Sequence, residues 1–97
     1  MAIFIVLGSF TQEGITNIKD SPQRLEAAKK VADSVGGVIK EFYYTMGRYD
    51  FVAITEAPSY EAMMRALLTI GTTGAIRTET LQAIPIEKAV DIIKELP

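Results

Sequence analysis

A chain of 97 residues with a net charge of −2 and 48% hydrophobic content suits one domain, 1–97, with a modest core. Acidic and basic residues are interspersed, so no basic stripe draws in a phosphate backbone and nucleic acid is not an expected partner. Cysteine and histidine are both absent, which excludes disulfides, thiolate metal sites, cysteine nucleophiles and the commonest general base; no metal or other cofactor is expected.

Residues 2–10 form a β-branched and aromatic run, interrupted late by Gly8, and read as the first strand. The start shows no basic region and no cleavage site, so it reads as a strand and not as a signal peptide. No apolar stretch approaches the ~18 residues needed to span a bilayer, so a cytoplasmic protein without a membrane partner is expected. Residues 11–20 show no clear period and read as a long connection, either a functional lid or, the reading favoured, a surface loop that Ile15 and Ile18 pin to the core. Ser21 as N-cap and Pro22 at the first helical position open a helix over 22–35. Its apolar positions Leu25, Ala28, Val31, Ala32 and Val35 recur at helical spacing, and Gly36-Gly37 ends it.

Val38–Thr45 and Phe51–Ala57 are two further strands joined by a turn at Gly47–Asp50. Pro58-Ser59 starts a second helix, which buries Met63, Ala66, Leu67 and Ile70 and closes at Gly71–Gly74. Ile76–Ile84 is a fourth strand, ended by Pro85. Ile86, Ala89, Val90, Ile93 and Leu96 mark a short amphipathic helix at the C-terminus.

The order β-α-β-β-α-β plus a final helix predicts an α+β, ferredoxin-like antiparallel sheet with two helices on one face. That plan puts the first and third strands in the centre. Both are apolar on both faces: Ile3, Ile5 and Leu7 alternate with Phe4 and Val6, and Phe51 and Ala53 alternate with Val52 and Ile54. An antiparallel sheet covered on one side usually shows a polar second face. The greasy second face therefore predicts a cover: the C-terminal helix in part, and a second copy laid sheet to sheet, giving a homodimeric α/β barrel.

The segment Gly47-Arg48-Tyr49-Asp50, followed by Phe51-Val52-Ala53-Ile54-Thr55-Glu56-Ala57-Pro58, resembles the G-x-Y-D signature of the GYD-domain family of small prokaryotic proteins. The resemblance continues through Arg65–Leu68 and Gly74–Leu81, with Thr11–Ile15 and Lys19–Pro22 upstream, and covers the chain to about Pro85. It implies the ferredoxin-like, dimeric α/β-barrel architecture and brings no activity with it.

Three groups of residues could carry chemistry. In the turn, Gly47 suits a positive φ and Asp50 an Asx-type contact to backbone amides, while Arg48 and Tyr49 could meet a carboxylate or phosphate and a ring. The plainer reading is that Gly47 and Asp50 only shape the hairpin while Tyr49 packs and Arg48 is solvated. On the fourth strand, Arg77 and Glu79 share one face with Leu81 and Ala83; inside a barrel they would form a buried pair, and at an exposed edge an ordinary ion pair. Among Phe42, Tyr43 and Tyr44, one parity faces the core and the other a dimer cleft or solvent; Tyr43 is a candidate to orient a ligand through its hydroxyl, and the reading favoured is packing with one satisfied hydroxyl. The reading favoured is a small-molecule-binding or regulatory homodimer with a small organic ligand. A cofactor-independent oxygenase or isomerase with Asp50 or Glu79 as base, and a purely structural assembly unit, are the alternatives.

Overall fold

The structure is a computed structural model and describes residues 1–97. Strands β1 (Ala2–Phe10), β2 (Val38–Tyr44), β3 (Phe51–Ala57) and β4 (Ile76–Ala83) form one antiparallel sheet in the order β2-β3-β1-β4. The two strands apolar on both sides, β1 and β3, are central, as their pattern requires. Helices α2 (Ser21–Ser34) and α3 (Tyr60–Gly71) lie between the strands in the ferredoxin-like order, and α4 (Ile86–Lys94) follows β4. No helix is long and apolar enough to cross a membrane.

Strand alternation sorts the sheet into two faces. Phe4, Val6, Phe51, Ala53 and Ala57 point toward the helices and form the core with Met63 of α3. Gly8 belongs to that face because the Phe51 ring lies directly over it, where a Cβ would collide with the aromatic carbons. Thr55, also buried, is satisfied by donating from Oγ1 to the Phe4 carbonyl at 2.9 Å. The opposite face carries Ile3, Ile5 and Leu7 beside Val52 and Ile54, all half-buried, with Leu81 exposed at the β4 edge. It is an apolar surface with no helix across it.

Three details differ from the sequence reading. Residues 11–20 are not an irregular loop: α1 (Gln12–Thr16) and a 3-10 turn (Ile18–Asp20) fill them. Nor do the isoleucines pin this segment, since Ile15 and Ile18 stay exposed. Gly14 does so instead, buried against the Ala75 backbone so closely that a Cβ would strike the carbonyl oxygen. Thr11 locks the same corner. Its Oγ1 accepts from the Gly14 N–H at 3.1 Å and donates to the Gly74 carbonyl at 2.6 Å, and its own N–H donates to Ala75 at 3.0 Å. Secondly, Ser21 does not cap α2. The 3-10 turn runs straight into the helix, Asp20 holds the N-cap position without a side-chain bond, and Ser21 is buried with its hydroxyl 2.8 Å from that of Tyr44.

The third difference is α4. It forms where its apolar spacing places it, but it buries no residue and leaves the open sheet face uncovered. Ile86, Ile93 and Leu96 are all more than half exposed. The chain is correspondingly extended, at 52 × 31 × 17 Å with a radius of gyration of 14.8 Å, against about 12.5 Å for a compact chain of this length.

Candidate functional site

The hairpin between β2 and β3 is built as a rigid tip. Gly47 takes φ +113°, a conformation that disfavours any side chain. Thr45 closes the turn with two bonds, from its N–H to the Asp50 carbonyl at 2.8 Å and from its hydroxyl to the Tyr49 carbonyl at 2.6 Å. Met46, at the tip, is wholly exposed.

Asp50 does accept a backbone N–H, but from a different strand than an Asx turn would use. Its Oδ2 takes the Phe10 N–H at 2.9 Å, and its own N–H donates to the Gly8 carbonyl at 2.7 Å. Asp50 therefore fastens the hairpin to the end of β1, where the β1–β3 ladder has just run out at Gly8–Phe51.

With Asp50 so engaged, the neighbouring side chains project over the open sheet face. The Tyr49 hydroxyl donates to Glu79 Oε2 on β4 at 3.0 Å, and the Arg48 guanidinium lies 5.6 Å from the Tyr49 ring centroid in a cation–π contact. Register explains the reach: Glu79 is opposite Leu7 on β1, which is opposite Val52 on β3, next to the turn. Arg48, Tyr49 and Glu79 thus become one cluster although about thirty residues separate the turn from Glu79 in sequence.

Arg77 and Tyr43 stand apart from it. Arg77 is on the same face, opposite Ser9, but makes no ion pair with Glu79; the one ion pair of the chain is Lys29–Glu26. Both Arg77 and Glu79 are exposed. Tyr43 is opposite Val52, so it shares a cross-sheet row with Glu79 but lies at the far side of the sheet. Three strand spacings, about 14 Å, separate the two backbones. Its hydroxyl donates to Glu41 Oε1 at 3.2 Å, and that bond and the nearby negative charge raise the phenol above its usual range. Phe42 and Tyr44 are on the helix side, where Phe42 stacks on Phe51 with centroids 5.1 Å apart.

The cluster can hold a small polar group at one end of an apolar floor. Arg48 offers unpaired N–H donors, Glu79 a second carboxylate oxygen, and Tyr49 an acceptor lone pair. In the sequence Tyr49 and Glu79 stand in separate groups, so the bond between them is not evident there. Only the β1–β4 register, which no local pattern encodes, joins them.

A family model described as the GYD domain matches residues 4–93. Among curated proteins, the chain is 32% identical over 95 residues to the glutamine synthetase and cystathionine beta-lyase binding protein of Thermus thermophilus, covering 97% of this chain and 100% of that one. Among solved structures, the feast or famine regulatory protein of M. tuberculosis complexed with L-methionine superposes with a TM-score of 0.67 at 20% identity. That match covers 88% of this chain and 51% of the regulator, so the chain spans about half the length of that protein. A further protein of known structure, also from Thermus thermophilus, superposes with a TM-score of 0.56 at 23% identity, covering 88% of this chain and 95% of the other. These structural likenesses are ones of fold.

Proposed function

Since the chain belongs to the GYD-domain family, we propose that it acts as a cytoplasmic homodimeric regulatory module that binds a small organic ligand. One observation carries this reading: an apolar sheet face with no cover, edged by the Arg48–Tyr49–Glu79 cluster. Two copies packed face to face bury Ile3, Ile5, Leu7, Val52 and Ile54 of each. The two-fold axis of such a dimer turns each cluster toward the rim of a shared interior. A ligand with an anionic group for Arg48 and a flat apolar body for the floor suits that rim.

Two measurements test it. Light scattering at micromolar concentration is expected to report a dimer, and Ile54→Asp, which puts a charge in the middle of the face, to dissociate it and lower the melting temperature. A wild-type monomer overturns the assembly. A thermal-shift screen of small carboxylic acids and aromatics is expected to yield at least one stabilising compound whose effect falls at least tenfold in Arg48→Ala. A compound that binds both forms equally places the site elsewhere.

A second reading is favoured by the relative whose name records binding to glutamine synthetase and cystathionine beta-lyase. In this reading the chain regulates by docking on a metabolic enzyme, and the exposed apolar stripe of α4 is the surface available for contact. Analytical ultracentrifugation with the glutamine synthetase of the same organism tests it. Co-sedimentation that Ile93→Asp abolishes supports it, and independent sedimentation rejects it.

A further inference from the structure

The space between the helix layer and the sheet is not filled. A cavity of about 310 Å³ runs between α2, α3 and the sheet, on the side opposite the Arg48–Tyr49–Glu79 cluster. That volume is at the lower end of the range for small-molecule sites. Its lining is mostly hydrophobic, and small side chains keep it open: Ala28 and Ala32 on α2 and Ala53 on the sheet floor stand where larger residues would close it. No large side chain of the protein is fully buried, as follows when the helices do not settle onto the sheet.

The one cationic residue in the lining is Arg24, at the start of α2, while Glu56 lines the cavity beyond the other end of that helix. Ser21 and Arg24, three residues apart and so on one face of α2, line it at the first turn of the helix. The half-buried Arg24 guanidinium donates to the Asn17 carbonyl at 3.0 Å and the Gly14 carbonyl at 3.3 Å, and pairs with no carboxylate. Two of its five N–H groups are thus engaged by neutral acceptors. A partly desolvated cation beside an apolar cavity, at a helix end that favours negative charge, is complementary to an anionic head on a hydrocarbon body. Glu13 and Asp20 also border Arg24, on the adjoining polar depression outside the apolar space.

We propose that this cavity binds a small amphipathic carboxylate, with its hydrocarbon body between α2, α3 and the sheet and its carboxylate on Arg24. The site is independent of the open sheet face and of the proposed dimer.

Calorimetric titration of the full chain with octanoate, 1-octanol and octylamine tests this, backed by thermal shift. Octanoate is expected to bind about tenfold more tightly than octanol, the difference one charge-assisted contact at a half-exposed site supplies. Arg24→Gln is expected to erase that difference while octanol binding persists, which shows that the fold survives. Ala28→Leu, which narrows the cavity, is expected to weaken both ligands at an unchanged or raised melting temperature. Octylamine binding as tightly as octanoate would assign the head-group site to Glu13 and Asp20 and overturn the proposal. So would octanoate binding that Arg24→Gln leaves intact, or the absence of binding by any of the three. If they bind only once Ile93→Asp has disabled α4, the cavity belongs to the α4 of a second copy, and the proposal is also wrong.

Discussion

Single side chains in this protein do work that their chemical reactivity does not advertise. Asp50, the carboxylate of the G-x-Y-D signature, commits one oxygen to the Phe10 amide, so its first role is to hold the hairpin to β1. Asp50→Ala leaves that part-buried amide without a partner and is expected to lower stability by about 1–2 kcal/mol. A denaturant melt unchanged by the substitution would return Asp50 to the list of free functional groups. Gly8 is constrained as tightly by the ring above it. Gly8→Ala is expected to cost about 1–3 kcal/mol as Phe51 is displaced from the core. Tyr43 gives a pH signature. Its folded phenol is raised by the Glu41 hydrogen bond first and by that residue's charge second, so folding favours the protonated form. Its small contribution to stability is complete below the unfolded phenol value near ~10 and is lost as pH rises through the folded one. Ultraviolet titration of the phenolates is expected to show that Glu41→Gln lets Tyr43 ionise at lower pH than it does in the wild type.

Among the elements, what was legible in the sequence follows from periodicity. The four strands and the three longer helices were readable because two-residue and helical spacings repeat through β1, β3, α2, α3 and α4. Helix α1 was not, because Gly14, Thr16 and Asn17 are weak helix formers and the helix is held by Thr11 and the Ala75 backbone, a contact made across about sixty residues. Ser21 misled for a related reason. Its place before Pro22 suits a cap, but a preceding 3-10 turn and a tyrosine 23 residues away claimed the hydroxyl. In the candidate site, the turn was visible as a motif, whereas its union with Glu79 depends on strand register. The α1 corner yields its own test. Gly14→Ala drives a methyl into the Ala75 carbonyl and is expected to destabilise the protein by about 1–3 kcal/mol. Amide exchange should rise first at residues 11–20 and at the start of β4. Uniform loss of protection would mean that α1 and the sheet unfold as one unit.

At the scale of the whole molecule, the chain buries only 12 of its 97 residues, a small core for a domain of this size. The uncovered sheet face, the projecting α4 and the unfilled helix–sheet space all withhold apolar surface from the core. Folding and association are therefore expected to be linked, with a melting temperature that rises with protein concentration over the micromolar range. A concentration-independent melt would show that the protomer stands alone. The hairpin tip offers a way to watch this happen. Met46 has no shelter at all, whereas Met63 is nearly sealed and Met1 and Met64 are partly covered. Mild peroxide should convert Met46 to its sulfoxide ahead of the others. Two residues separate its sulfur-bearing side chain from Tyr49, so its oxidation rate becomes a built-in footprint: whatever settles over the tip, a ligand or a second subunit, will slow that one reaction.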